Sequence, residues 1–250
     1  GAARAARARI EDVEGHVRAV FPDALRSDRF CDAIDAAARD AGFEPDATLL
    51  VTGSCRDELC FPFGDRLQET WGSAFHLGSL GGLLFLGRTG LAAAHAHAPL
   101  GHRRRRYLVV ALTHVGIGDD GTVGRVARSH QESESSACGA LVALQQEIVS
   151  GSELPDLDPD DLEQGLLRRR LAFLWSRGPD LTVLEVTMAA RDAIRQDVLR
   201  LHPALDPDGR SDVLLTTGVL VHAGDGDWVA AHETTRIHPD GRSDDVALGR

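Results

Sequence analysis

Ala47-Thr-Leu-Leu-Val-Thr52 and Arg106-Tyr-Leu-Val-Val-Ala-Leu-Thr113 decide the fold. Each is a short, nearly unbroken apolar run, the pattern of a strand buried on both faces of a parallel sheet. Gly53 closes the first run just before Cys55, and the second is read as stopping at His114. Ligands of open α/β sheets gather beyond the carboxyl ends of the strands. Cys55 and His114 are therefore candidate site residues from the outset.

Outward from these strands the pattern alternates. Residues 8–22 and 27–42 place Ile10, Val13, Val17 and Val20, then Phe30, Ile34 and Ala37, at helical spacing, with Pro22 and Gly42 closing the two helices. Between Trp71 and Gly90 glycine is dense among apolar residues, which predicts a tightly packed turn and helix where backbone approaches something closely. From Ser135 onward a helix is expected, capped by Ser135 or Ser136, with Cys138 in its first turn. The second half reads as an acidic loop (155–161), a helix (161–177), a strand (Leu181 to Val186), a helix (187–202) and a strand (Val213 to His222). A last strand around Trp228 to Ile237 follows the turn Gly224-Asp-Gly226. Alternating strands and helices predict an α/β fold, a three-layer α/β/α sandwich with a mostly parallel central sheet. Residues 1–250 are read as one domain, with the helices of residues 1–45 packing on it.

Composition narrows the function. The net charge of −11 argues against a nucleic-acid partner, because phosphates would be repelled. The one basic run, Arg103 to Arg106, reads as a solvated loop before a strand rather than an anion patch. No segment approaches the ~20 consecutive apolar residues of a membrane span. Gly1 to Arg9 has charge but no apolar core after it, so it reads as a trimmed helix start rather than a secretory signal. Four cysteines in a chain with this much core do not need to be disulfides, which points to a reducing compartment, read as cytoplasmic.

Cys138 at a helix N-terminus lies where partial positive charge favours thiolate. Two thiolates and an imidazole suit zinc, and three protein ligands leave a fourth position for water. Spacing alone is weak support, since 59 residues separate Cys55 from His114 and 24 separate His114 from Cys138.

The chain resembles the limiting-CO2-inducible protein B/C family, a β-carbonic-anhydrase-like family. The resemblance rests on Cys55-Arg-Asp-Glu58, Leu77-Gly-Ser-Leu-Gly-Gly-Leu-Leu-Phe-Leu-Gly-Arg-Thr-Gly90, His95-Ala-His-Ala-Pro99, His114-Val-Gly-Ile-Gly-Asp-Asp-Gly121 and Ser136-Ala-Cys-Gly-Ala140. It implies a β-carbonic-anhydrase-like fold, a homodimer, Zn2+ on Cys55, His114 and Cys138, and interconversion of CO2 and bicarbonate. Zinc lowers the pKa of its bound water to roughly 7, giving a hydroxide that attacks CO2. Asp57 would accept the hydrogen bond from that water, provided a cation holds it off the metal. Ordinary β-carbonic anhydrases place that arginine two residues after the aspartate, where this chain has Leu59. Arg88 is the candidate for the role and Arg56 the second. A non-catalytic zinc-binding relative, acting in assembly or inorganic-carbon sensing, is the alternative reading.

Other signals weigh less. His95 and His97 are candidates for the site wall or a proton shuttle, although their alanine-rich surroundings look helical and would point them apart. Cys60 reads as a space-filling core residue, and His76 has no assigned role. Gly116-x-Gly-x-x-Gly121 matches a dinucleotide fingerprint, but Asp119 and Asp120 would repel a pyrophosphate and no helix follows. His130-Gln-Glu132 matches half of a zinc deaminase signature whose second cysteine pair is missing. Gln131 and Glu132 are retained as pocket-lining candidates.

Overall fold

A computed structural model describes residues 12–99 and 104–249. Gly1 to Arg9 and Ile10 of the expected first helix, and Arg103 of the basic run, lie outside the described residues. Residues 12–20 are helical (α1), followed by β1 (Leu25–Arg26), α2 (Ser27–Asp40), β2 (Thr48–Gly53), α3 (Phe61–Trp71), β3 (Phe75–His76), α4 (Gly87–Ala96) and β4 (Arg105–Ile117). Then come β5 (Arg125–Val126), β6 (Ser135–Ser136), α5 (Gly139–Val149), α6 (Leu162–Arg170), α7 (Val183–Leu201), β7 (Ser211–Ala223), β8 (Gly226–Ile237) and β9 (Ser243–Asp245).

The main sheet runs β1-β8-β7-β4-β2-β3. Its central strands β7, β4, β2 and β3 are parallel, and β8 returns antiparallel through the expected glycine turn. The layers follow from strand alternation. On β8, His232 meets Phe30 of α2 on one face, whereas its neighbour Glu233 takes Arg191 and Arg195 of α7 on the other. The α/β/α sandwich expected from the sequence is therefore present. Val13 and Val17 of α1, one helical turn apart, pack with Val115, Ile117 and Trp228 against one end of the sheet.

Several boundaries differ from the sequence reading. β4 does not stop before His114 but continues to Ile117, because β7 pairs with it residue for residue from Arg105↔Ser211 to Ile117↔Ala223. Arg105 and Arg106 are thus the opening residues of β4, not loop. Ser135–Ser136 pair antiparallel with β5, so α5 cannot begin until Gly139 and Cys138 is its N-cap rather than a first-turn residue. The expected strand at Leu181 to Val186 is instead the start of α7. Thr182 and Glu185 form a reciprocal capping box, and Val186, Ala190, Ala193, Ile194 and Val198 are buried at helical spacing. Residues 172–180 form 3-10 turns rather than the end of a longer helix, and α3, for which no expectation was drawn, is present.

The glycine-dense stretch does bring backbone close. A Cβ on Gly78 would lie 1.8 Å from the carbonyl oxygen of Ser54, next to Cys55, and one on Gly82 would lie 2.4 Å from that of Leu112. Gly78→Ala is therefore expected to cost about 3 kcal/mol, at the upper end of overpacking effects. Chemical denaturation measures this, and a variant as stable as the native chain would refute the close approach.

Candidate metal centre

β2 ends where Gly53 pairs with Ala111, while β4 runs on beside β7. The β4 edge from Leu112 onward is left open on the β2 side, and two segments fill it. The chain leaving β2 brings in Cys55. The segment before α5 is anchored by the Gly116 amide donating to the Ala137 carbonyl at 2.8 Å, which brings in Cys138. His114, inside β4 and fully buried, lies between them.

The ligand atoms of Cys55, His114 and Cys138 all lie within 4.8 Å of one another. The two sulfurs are 3.6 Å apart, hydrogen-bonded and not bridged, and all four cysteines are free. Two sulfurs on one tetrahedral zinc, each at ~2.3 Å, stand about 3.8 Å apart. The spacing therefore fits a shared ion with an adjustment of a few tenths of an ångström. Both ring nitrogens of His114 are buried without a hydrogen-bond partner, an unusual expense for a residue whose only task is packing. Among the described residues this grouping contains no fourth side chain, so the donor set is two sulfurs and one nitrogen.

The thiol pair behaves as a unit. The hydrogen bond from Cys138 holds the Cys55 thiol well below its ordinary range, with His114 adding to the effect, while that same bond and burial push Cys138 up. Cys55 is thus the more readily ionised of the two sulfurs. A cation arriving there would displace the proton of their hydrogen bond.

Asp57 caps the 3-10 turn Glu58–Cys60 by accepting from the Leu59 amide. It is close enough to His114 to interact electrostatically. Burial works against its charge, but Arg128 overrides this with a two-point grip, Nη1 to Oδ1 at 3.0 Å and Nη2 to Oδ2 at 2.9 Å, holding the carboxyl at about 2. Arg128 is itself locked by Ser135 Oγ at 2.9 Å and the Ser136 carbonyl at 3.0 Å, and it also pairs with Glu58. The Asp57 and Arg128 side chains are only 12% and 9% exposed.

Arg128 is therefore the cation that the sequence reading sought at Arg88. Arg88 is exposed on α4 with no acidic partner among the described residues, and Arg56 is committed to Glu163 at 2.8 Å. His95 also lies elsewhere. It hydrogen-bonds Tyr107 at 2.8 Å and the Leu205 carbonyl at 3.0 Å, near the amino end of β4. Tyr107 is seven residues before His114, or about 23 Å along a strand. His97 is exposed and rests on Phe75, with ring centroids 5.4 Å apart. Neither joins the centre. Gln131 and Glu132 are exposed on the loop that delivers Arg128.

Two histidines gain places the sequence did not give them. A cleft of about 330 Å³ opens over the centre, its wall including Cys55, Cys60, Thr52 and His76. His76 is exposed there and hydrogen-bonded to Thr52 Oγ1 at 2.7 Å. Behind the centre, His222 of β7 stacks edge-on against His114 with centroids 5.2 Å apart. A groove of about 590 Å³ beside α7 holds neither thiol nor imidazole.

The chain matches the family model described as limiting CO2-inducible proteins B/C β-carbonic anhydrases over residues 24–237. Among solved structures it is similar to PtLCIB4, a homolog of the limiting CO2-inducible protein LCIB, with 26% identity, a TM-score of 0.80, and 92% of this chain and 98% of that one covered. It is similar to LCIB itself with 27% identity, a TM-score of 0.72, and coverage of 92% and 96%. No curated protein matches the sequence.

Proposed function

Because the chain belongs to the limiting CO2-inducible protein B/C family of β-carbonic anhydrases, we propose that it is a zinc-dependent carbonic anhydrase interconverting CO2 and bicarbonate. The observation that carries this reading is the Cys55–His114–Cys138 grouping, with its 3.6 Å sulfur pair and its unpartnered imidazole. Zinc supplies, when bound, a Lewis-acidic centre at which water becomes acidic near neutral pH.

The side chains have separate tasks. Cys55, Cys138 and His114 hold the ion. Asp57 would accept a hydrogen bond from the attacking water through its carboxylate oxygen and so turn a lone pair toward carbon. Arg128 keeps Asp57 ionised and off the metal ligands. The cleft that reaches Cys55 would admit CO2. The same resemblance implies a homodimer, which light scattering would check. No helix among the described residues is long and apolar enough to cross a membrane, and the free thiols accord with a reducing compartment, proposed as the cytoplasm.

Stopped-flow CO2 hydration by zinc-loaded protein tests the reading. Hydration no faster than in the metal-free chain would leave the non-catalytic alternative, a metal-holding relative that acts by assembly or sensing. His76, on the cleft wall, replaces His95 and His97 as the proposed proton carrier to solvent. His76→Ala is expected to lower kcat on the order of tenfold in weak buffer, with activity returning as imidazole is added, because the buffer then removes the proton. A deficit that no imidazole concentration repairs would exclude this role.

A further inference from the structure

Cys60, His114 and His222 are all buried, and their ligand atoms lie within 4.8 Å of one another. Cys60 Sγ stands 4.0 Å from His222 Nε2, and His222 Nδ1 is 2.8 Å from Asp227 Oδ1. The carboxylate accepts the Nδ1 proton, which leaves the lone pair on Nε2, facing the thiol. A carboxylate fixing a neutral imidazole in this way is how metal-bound histidines are oriented. Asp227 sits directly opposite His222 across the β7–β8 hairpin, beside its turn.

The second observation concerns His114. Both of its ring nitrogens are buried and unpartnered, and a cation at Cys55 and Cys138 engages only one of them. On the sheet, His114 pairs with Leu220 and Gly116 with His222, so the two imidazoles are diagonal neighbours on one face. Cys60 also lines the open cleft, which gives an ion a route in.

We propose that Cys60, His222 and His114 form a second seat for a borderline-soft divalent cation of the Zn2+ and Cd2+ class, separate from the Cys55–Cys138 pair. Its donors are one sulfur and two nitrogens. On binding, the Cys60 thiol releases its proton to solvent as the sulfur–metal bond forms, His222 contributes its Nε2 lone pair, and His114 contributes its one ring lone pair when the first centre is empty. With both seats filled His114 also releases its ring proton to solvent and bridges the two ions as an imidazolate, and no oxidation state changes. A tetrahedral zinc would draw sulfur and nitrogen to about 3.6 Å, so the Cys60–His222 pair at 4.0 Å closes by a few tenths of an ångström, and the larger Cd2+ needs less. The inference does not depend on CO2 hydration and stands whether or not the chain is a carbonic anhydrase.

The full-length chain carrying Cys55→Ser and Cys138→Ser has lost both sulfurs of the first centre. Equilibrated with Cd2+ and dialysed, it is expected to retain about one Cd2+ per chain, and adding Cys60→Ala is expected to abolish this. A folded double variant that binds no Cd2+, or a triple variant that binds as well as the double, overturns the proposal. If circular dichroism shows the double variant unfolded, the milder Cys138→Ala chain serves instead. Adding His222→Ala there is expected to weaken Cd2+ binding at least tenfold. Equal affinities would overturn the proposal.

Discussion

Cys138→Ser is expected to empty the Cys55–His114–Cys138 centre and abolish CO2 hydration, while leaving the chain folded. Serine has nearly the shape of cysteine, but its hydroxyl does not ionise near neutral pH. The variant would therefore offer a cation one sulfur and one nitrogen in place of two sulfurs and one nitrogen. Losing a partner outside the ligand set already weakens zinc about 10–100-fold, and losing a ligand is expected to exceed that. The hydroxyl can still donate to Cys55, so the loss falls on the missing sulfur itself. The fold pays only for a hydroxyl in a buried place, about 1–3 kcal/mol. Zinc analysis after dialysis, beside stopped-flow hydration, measures both effects. Full zinc occupancy with undiminished turnover would remove Cys138 from the centre.

That Cys55, His114 and Cys138 come together was expected through the family resemblance, and local patterning supports two of the three. Cys55 follows an apolar run that ends in glycine, and Cys138 precedes a helix, so both lie at chain reversals that local patterning marks. His114 was found at the right place by a wrong boundary. The apolar run seemed to end there because a histidine and Gly116 interrupt it, whereas pairing with β7 carries the strand on to Ile117. Non-local hydrogen bonding overrode local composition.

Arg128 was not legible. It is 71 residues from Asp57 in sequence, on a short loop with no periodic pattern, and only the β5–β6 pairing brings it across. The available rule, an arginine two residues after the aspartate, finds Leu59 here and gave no direction to look in. Cys60 and His222 failed for a similar reason. Each resembles an ordinary buried residue in its own segment, and only the sheet places the imidazole of β7 beside the turn before α3. His95 and His97 misled in the opposite sense, because closeness in sequence to a glycine-rich motif did not become closeness to the centre: His95 sits at the amino end of β4 and His97 rests on Phe75. The strand expected at Leu181 to Val186 failed locally, since its apolar alternation outweighed a Thr182–Glu185 capping box that was equally visible.

The Asp57–Arg128 pair separates two effects that a single substitution would confuse. Asp57→Asn keeps the shape and the zinc ligands but removes the charged acceptor of the water's hydrogen bond, and kcat is expected to fall by about 10²–10⁴-fold with zinc content unchanged. Arg128→Ala leaves the carboxylate in place but takes away its opposing charge. In the native chain burial tends to raise the Asp57 pKa, and the guanidinium reverses this to about 2. That folded value lies below the ordinary carboxylate value of about 3.9. The pair therefore stabilises the fold at every pH above about 4 and ceases to do so only as the pH falls through about 2. Asp57 consequently does not titrate anywhere near neutrality, and an inflection of native activity there belongs to other groups. Without Arg128 burial is opposed only by His114 and the Leu59 amide, the carboxyl pKa rises, and an acid-side loss of activity should appear in the Arg128→Ala profile that neither the native chain nor Asp57→Asn shows. An Arg128→Ala profile parallel to the native one, merely lower, would mean that the arginine acts on something other than the charge of Asp57. Arg128→Lys discriminates further. It restores a cation but not the two-point grip, so the acid-side limb should retreat while kcat recovers only in part.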